Sequence, residues 1–245
     1  MGRGIGLDLF SLNSEGGHPF VRAVIASREA SEPRSAIRDV LSQYYNVVTT
    51  DNAAQWVGLR DDNTHELWQN PPWARVWPWQ SKSIEMRRRE ARRHAPLESK
   101  MGDKQLTIED GWKKVGPVSP AMLDVETTRL YKLIRSIETR GYQRDDSPTG
   151  DINVSVLWTS EDRWRWKIGG GEHRAAVLAG LGHDTVPIRV RSIIRRDEVE
   201  LWPNVASGLY TPEAALDVFD RLVDDEPPEI ARSWKKNHSP QPHIA

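Results

Sequence analysis

The stretch that most constrains the fold runs from residue 152 to residue 190, because its hydrophobic pattern changes character twice there. Apolar and polar residues alternate through INVSVLW and again through RWRWKI, with the turn TSED between the two runs. A period of two over both runs predicts a β-hairpin with one apolar face. We therefore expect Trp158, Trp164 and Trp166 to lie in the core.

A glycine run follows the hairpin and leads into a short apolar helix. We expect Gly169, Gly170 and Gly171 to form a loop, and a helix to follow from about Glu172 to Leu181. The helix sequence EHRAAVLAGL is apolar nearly all round its axis, which predicts that the helix is buried. The run VPIRV then predicts a third strand.

Further helices are predicted on both sides of this stretch. Leucine and isoleucine recur at helical spacing in LYKLIRSIETRG, which predicts a helix that Asp124 caps and Gly141 ends. The sequence TPEAALDVFDRLVD predicts a helix with Thr211 as its cap and Pro212 at its first position. The sequence after this helix is polar and contains several prolines, and it predicts a flexible tail over residues 226–245.

Residues 1–114 have a different character, since glycine and proline interrupt most of the sequence. We expect an irregular, Trp-rich accessory segment, with short helices over residues 34–45 and from 81 to about 94. The tryptophan cluster of this segment has two open interpretations, which are core packing and stacking on sugars or bases. The cluster comprises Trp68, Trp73, Trp77 and Trp79.

The predicted helix over residues 81–94 carries a group of arginines. A face that is solvated or contacts a partner is one interpretation, and a phosphate-binding patch is the other. The group comprises Arg87, Arg88, Arg89, Arg92 and Arg93.

Composition excludes several classes of function. The chain has no cysteine, which excludes disulfides, thiolate catalysis and zinc–thiolate sites. The net charge of −1 provides no overall attraction to nucleic acid, and no apolar run is long enough to span a membrane. We expect a cytoplasmic protein without a membrane partner, and nucleic acid is not the expected partner.

The turn at residues 169–174 combines the features of an anion site. Glycine lets the backbone approach a ligand closely, and the start of a helix presents free N–H groups and a partial positive charge. Arg174 adds a guanidinium that can form paired hydrogen bonds with phosphate oxygens. A glycine-rich turn between strand and helix that binds nothing is the alternative. The turn is neither a Walker A loop nor a GxGxxG fingerprint.

The sequence GGGEHRAAVLAGLGHDTVPIRV resembles the signature of the ParB/sulfiredoxin superfamily, in which a strand, a G-x-x-R turn, a short helix and a VPV strand build a nucleotide-phosphate site. LYKLIRSIETRGYQ resembles the family's L-x-x-S-I-x-x-x-G helix, and WPNVASGLYTPEAALDVFDRL resembles the segment that follows. The resemblance covers about residues 115–224 and implies an α+β fold with a small mixed sheet and short helices. We expect a nucleotide-binding domain over residues 115–225, preceded by the accessory segment and followed by the tail.

The resemblance also implies roles for individual residues. Gly171, Glu172, His173 and Arg174 match the phosphate-contacting turn, with Glu172 and His173 as the implied catalytic residues. Together with Gly169, Gly170 and Asn204, these four are the expected cofactor-binding residues. Asn204 matches an asparagine that helps to hold magnesium and triphosphate, so Glu172 and Asn204 are the implied metal ligands. The family's neighbouring glutamate is Pro203 here and its arginine is Ser207, which leaves the magnesium set incomplete. Sulfiredoxins have cysteine where this chain has Glu172, which excludes sulfinic reduction.

Simpler interpretations stay open for the same side chains. Glu172 also fits a first-turn carboxylate that complements the helix dipole. His173 also fits a packed or solvated histidine, and Asn204 a turn residue.

Three functions follow as hypotheses. The first is a small-molecule phosphotransferase or NTPase, for example an ATP- or ADP-dependent kinase, which binds ATP, ADP or CTP with or without magnesium and takes a small hydroxyl-bearing acceptor. The second is a ParB-like DNA-associated regulator, although residues 225–245 show no helix-turn-helix pattern. The third is a non-catalytic protein that senses nucleotides or acts as a scaffold. The sequence leaves the acceptor, the base and the oligomeric state open.

Overall fold

The computed structural model describes residues 3–13, 17–60, 65–98, 105–144 and 151–238. The strands of these residues are β1 (Gly4–Gly6), β2 (Phe10–Ser11), β3 (Ile152–Trp158), β4 (Trp164–Gly170) and β5 (Ile188–Arg195). The helices are α1 (Pro19–Glu29), α2 (Pro33–Val47), α3 (Ala53–Val57), α4 (Ile84–Glu98), α5 (Pro120–Arg140), α6 (Glu172–Gly180), α7 (Pro203–Ala206), α8 (Pro212–Val223) and α9 (Glu229–His238). Short 3₁₀ turns lie at Glu66–Gln69, Pro72–Ala74, Ile108–Asp110 and Arg196–Leu201.

The strands form one mixed sheet with the order β2-β1-β4-β3-β5. β3 and β4 pair antiparallel as the predicted hairpin, and β5 pairs parallel with β3. β1 comes from the N-terminal segment and pairs parallel with β4, so Ile5 lies beside Lys167. The predicted α+β class is confirmed, and the sheet includes strands that precede residue 115.

Two side chains at the end of β3 depart from the predicted alternation. Leu157 is fully buried, whereas Trp158 is half-buried. The register of β3 with β5 also shifts here, because Val154 pairs with Val190 and Ser155 with Ser192, which leaves Arg191 of β5 as the extra residue. Trp166 is buried as predicted, whereas Trp164 is only half-buried.

The N-terminal segment is far more regular than we expected. α1 and α2 pack on one another, and Leu41 and Tyr44 of α2 are fully buried. Pro19 and Pro33 stand at the first turns of these two helices, where the missing N–H of proline costs no hydrogen bond. These two prolines therefore mark where helices begin.

Helices α5 and α8 both begin with a hydroxyl-bearing cap residue that is followed by a proline. Ser119 caps α5 by accepting a hydrogen bond from Met122 N, and Asp124 lies inside the helix, where it forms an ion pair with Arg34. The prediction that Asp124 caps α5 is therefore wrong, because the signal is a serine followed by a proline at the first helical position. Thr211 caps α8 as predicted, by accepting from Ala214 N.

The residues after α8 are not a loose tail over their described length. Glu229–His238 form α9, in which Ala231 and Trp234 are buried. Trp234 Nε1 donates a hydrogen bond to the carbonyl oxygen of Gly17 at 2.7 Å. The rest of the predicted tail, residues 239–245, lies outside the described residues.

The predicted tryptophan cluster contributes to the core. Trp77 is buried, and its ring stacks on Trp79 with 5.5 Å between centroids. Trp79 in turn contacts the rings of Trp202 and Phe219 edge-on. One core cluster contains Trp77, residues of β1 and residues of α8, so the core is continuous on both sides of residue 114. No helix in the described parts of the chain has the length and apolar character needed to cross a membrane.

Candidate functional site

A cavity of about 890 Å³ opens between α4, α5, the β1–β2 turn and the junction of β4 with α6. Cationic side chains outnumber carboxylates in its described lining by ten to three. The cations are Arg75, Lys82, Arg87, Lys113, Lys114, Arg129, Lys132, Arg140, Lys167 and Arg174. The carboxylates are Asp8, Glu90 and Glu172. A pocket of this size and charge favours an anionic ligand of small-molecule or nucleotide size.

The glycine run forms one wall of this cavity, but it is not a loop throughout. Gly169 and Gly170 complete β4, and Gly170 pairs with Asn153 of β3. Only Gly171 leaves the strand, with a left-handed φ of 81°, and it caps the start of α6. A Cβ on Gly171 would lie 3.0 Å from the Cα of Ile152, so glycine is required there for both reasons. The absence of side chains on the other two glycines leaves the cavity wall open.

Glu172 points away from solvent and holds the β1–β2 turn. Its Oε1 accepts a hydrogen bond from Leu7 N at 2.6 Å, and its Oε2 lies 3.6 Å from Lys114 Nζ. The Nε2 atom of His18 is 3.5 Å from Oε1. Burial acts to raise the pKa of Glu172, but Lys114 and His18 outweigh it and hold the pKa below its usual value. Glu172 is therefore an ionised, nearly buried carboxylate with several protein partners.

His173 is also held by protein groups. Its Nε2 lies 2.5 Å from Glu126 Oε2, and its ring stacks on Phe20 with 4.8 Å between centroids. Glu126 is fully buried and also contacts Arg129. Burial acts to raise the pKa of Glu126, but His173 and Arg129 hold it at about 2. Of the two interpretations from sequence, this geometry matches a packed histidine.

Arg174 occupies the first turn of α6 and is half-buried in the cavity wall. Burial raises the pKa of Tyr142, and the charge of Arg174 is close enough to oppose that rise. Arg174 therefore lies in the cavity wall at the first turn of α6, and its contact with an anion stays a prediction.

Asn204, the other implied cofactor and metal ligand, is not among the residues that line the cavity. Its Nδ2 donates to the carbonyl oxygen of Trp77 at 2.9 Å and to that of Lys82 at 3.3 Å. Its backbone N donates to the carbonyl oxygen of Pro78 at 3.0 Å. Asn204 is buried and holds the segment from Trp77 to Lys82, whose two end residues line the cavity. The structure therefore does not bring Asn204 and Glu172 together as ligands of one metal ion.

Sequence reasoning missed the most buried charged group of the cavity, which we call the Asp8 cluster and which consists of Asp8, Arg75, Lys114 and Lys167. Asp8 Oδ2 accepts from Arg75 Nε at 3.0 Å and from Lys114 Nζ at 2.7 Å, and Oδ1 contacts Lys167 Nζ. Burial acts to raise the pKa of Asp8, but the three cations hold it well below its usual range. Burial lowers the pKa of Lys167 to about 8.

One face of α5 supplies a second group of polar side chains. Arg129, Lys132, Ser136 and Arg140 lie at helical spacing and all line the cavity. Ser136 is the serine of the motif that carried the family resemblance, and its Oγ accepts from Arg140 Nη2 at 2.6 Å. The spacing of these residues is visible in the sequence and would have identified this wall.

The arginines of α4 do not all have the same surroundings, and the two interpretations from sequence were a solvated or partner-contacting face and a phosphate-binding patch. Arg87 lines the cavity and pairs with Glu90 at 3.2 Å. Arg89, Arg92 and Arg93 are exposed and are not among the described lining residues, which matches a solvated face.

The described residues contain no group of three or more histidine, aspartate or glutamate side chains suited to a metal ion. No family model matches the chain, and no curated protein or solved structure matches it significantly. The resemblance to the ParB/sulfiredoxin superfamily therefore stays a prediction, and the geometry of the cavity carries the functional argument.

Proposed function

We propose that this chain binds a nucleoside di- or triphosphate, such as ATP, ADP or CTP, in the cationic cavity, with phosphates against the turn from Gly171 to Arg174. The single observation that carries the proposal is the excess of cations in a cavity where a helix begins. Both features favour bound phosphate, since N–H groups and guanidinium groups donate charge-assisted hydrogen bonds to its oxygens.

The cavity volume supports a nucleotide rather than a free phosphate ion. About 890 Å³ is within the range of sites for nucleotides and drug-sized ligands. Trp112 lines the same cavity and is only half-buried, so part of its ring offers apolar surface, while cations lie around it. A ligand with an apolar ring at one end and several negative charges at the other fits this distribution.

The reaction that we propose is phosphoryl transfer to a small hydroxyl-bearing acceptor or to water. Such transfer depends mainly on positioning and on neutralising the charge of the phosphoryl oxygens. Arg174 and the start of α6 supply that kind of charge. In this proposal Glu172 and His173 position the turn, because their polar atoms are already engaged by Leu7 and Glu126.

Non-catalytic nucleotide sensing is the second candidate. It is favoured because Glu172 and His173 already form hydrogen bonds with Leu7 and Glu126. If Glu172 and His173 hold only the fold, the cavity supplies affinity without a group that activates an acceptor. Binding and turnover therefore have to be measured separately.

The first experiment is thermal unfolding of the full chain with ATP, ADP and CTP, each with and without magnesium, and with adenosine as the control without phosphates. A ligand at about 100 times its Kd stabilises the folded state by about 2.7 kcal/mol, which raises Tm by about 5 °C or more. We expect that rise for at least one nucleotide and none for adenosine. Absence of stabilisation by every nucleotide would exclude the proposal.

The second experiment measures phosphate release from the nucleotide that binds. Release that exceeds the protein-free rate and is lost in Arg174→Ala supports the enzyme. Binding without phosphate release, and without nucleotide turnover in the presence of small hydroxyl-bearing acceptors, supports sensing.

A further inference from the structure

The Asp8 cluster carries an unbalanced positive charge next to the open cavity. Together with Glu172, its four residues contribute three cations and two carboxylates, an excess of one positive charge. Arg75 is 5% exposed, Lys167 8% and Asp8 1%, so these charges have little water around them. An unmatched buried charge is costly, and a bound anion removes that cost.

The backbone around Asp8 is held in an unusual conformation. Leu7 and Asp8 both have left-handed φ values, 47° and 67°, although neither is glycine. Such residues persist where the surrounding structure fixes them, and they are concentrated at ligand-binding and catalytic positions. Glu172 fixes this turn through Leu7 N. Gly6 leaves room for the arrangement, since a Cβ there would lie 2.6 Å from Glu172 Oε1.

Aromatic rings strengthen the electrostatic effect of the cluster. Lys167 Nζ lies 4.7 Å from the ring centroid of Trp77, and the Arg75 guanidinium carbon lies 5.0 Å from that of Trp112. Rings next to cations exclude water, and a charge in such surroundings attracts an anion more strongly than a solvated charge does.

The cluster is separate from the turn where α6 begins. Lys167 and Gly170 are three residues apart on β4, which places their backbones about 10 Å apart. The carboxylate of Glu172 stands beside Lys114, on the way from one positive region to the other. A single phosphate group is too small to contact both regions.

We propose that the Asp8 cluster is a second anion subsite, which binds a phosphate or carboxylate group of the second substrate while the nucleotide phosphates occupy the turn at Arg174. The inference rests on the proposed function, and it narrows the acceptor class to small hydroxyl compounds that carry their own anionic group. Arg75, Lys114 and Lys167 are the binding residues, and Asp8 is their counter-ion in the absence of ligand.

The test is a calorimetric titration of the full chain with inorganic phosphate at constant ionic strength. The titration is carried out with and without saturating nucleotide. Lys167→Gln removes one cation, and we expect phosphate affinity to fall about tenfold with nucleotide affinity unchanged. Asp8→Asn removes the competing carboxylate, and we expect phosphate affinity to rise. Asparagine tolerates left-handed φ, so this variant keeps the turn. Lys167→Arg keeps the charge and is expected to restore binding.

The controls separate this inference from the proposed function. Lys236→Gln, which alters an exposed lysine of α9, leaves both affinities unchanged. Arg174→Ala weakens nucleotide binding, and phosphate affinity measured at saturating nucleotide stays unchanged. Phosphate that does not bind the nucleotide-saturated chain, or phosphate affinity that is the same in Lys167→Gln, Asp8→Asn and the wild-type chain, would overturn the second subsite. If no nucleotide binds, but phosphate binds and responds to the cluster variants as expected, the proposed function is wrong and the anion site at the Asp8 cluster is still supported.

Discussion

Glu172 Oε1 accepts a hydrogen bond from Leu7 N at 2.6 Å, across 165 positions of the chain. This bond ties the first turn of α6 to the turn that places Asp8. The two positive regions of the cavity are therefore parts of one hydrogen-bonded unit, and a change at Glu172 affects both.

Replacing Glu172 by glutamine tests that connection. The amide oxygen can still accept from Leu7 N, but the negative charge beside Lys114 is lost. We expect the free energy of unfolding to fall by about 1–3 kcal/mol, because the nearly buried ammonium group of Lys114 loses one of its two carboxylate partners and keeps only Asp8. Chemical denaturation measures this change. Glu229→Gln, on an exposed turn of α9, is the matched control and should leave the stability unchanged.

Replacing Arg174 by alanine tests the nucleotide site. A guanidinium that bonds phosphate oxygens contributes one of the stronger kinds of hydrogen bond in proteins. We expect the Kd of the bound nucleotide to rise at least about tenfold, as measured by calorimetry. Arg93→Ala, on the exposed face of α4, controls for the loss of net charge. Equal affinity in the wild-type chain and Arg174→Ala would show that the phosphates bind elsewhere.

Asn204 offers a contrast, because its contacts are structural. Asn204→Ala removes the donor to the carbonyl oxygens of Trp77 and Lys82. Each buried carbonyl that loses its partner costs free energy, so we expect the stability to fall by about 1–3 kcal/mol. Nucleotide affinity should stay the same. A loss of affinity without a loss of stability would restore the ligand role that the family resemblance implies.

The lowered pKa of Glu126 predicts how the free energy of unfolding depends on pH. Its pKa is about 2 in the folded chain and 4.5 when unperturbed, so the ionised form stabilises the fold. The contribution is roughly 3 kcal/mol, is complete above about pH 4.5, and is lost as the pH falls through 2. Denaturation curves at several pH values measure it. In Glu126→Gln the stability should fall less steeply over this pH range than in the wild-type chain.

The last helix has a measurable role in stability. Trp234→Ala removes a buried ring together with its hydrogen bond to Gly17, and we expect a loss of about 3–5 kcal/mol. Arg232→Ala, on the exposed side of the same helix, should cost less than about 0.5 kcal/mol. Similar stabilities for the two variants would mean that α9 does not dock in solution.

The sequence predicted the parts of this structure that depend on local signals. The alternation of β3 and β4, the glycine at the start of α6 and the Thr211–Pro212 cap each lie within a few residues, and each was found. The burial of Leu157 in place of Trp158 was missed, because the burial of a strand residue depends on distant elements that pack against the sheet. α9 was missed because proline and charge dominated a segment whose Ala231 and Trp234 face the core.

The Asp8 cluster was beyond any local pattern. Its members lie at positions 8, 75, 114 and 167, on four separate segments that meet only in the folded chain. Each residue by itself resembles an ordinary surface charge. The turn at Arg174 was found because glycine, helix start and arginine are contiguous, whereas the partners of Glu172 and His173 are distant in sequence.

The parallel pairing of β1 with β4 has a consequence for how the protein is made. Gly4 and Ile5 are synthesised about 160 residues before their partners Trp166 and Lys167. Contacts between such distant positions slow folding, and until they form, the hydrogen-bonding edges of both strands stay open to other chains. An expression fragment that stops at residue 114 would lack β4, the parallel neighbour of β1, and would keep that edge of β1 open to other chains.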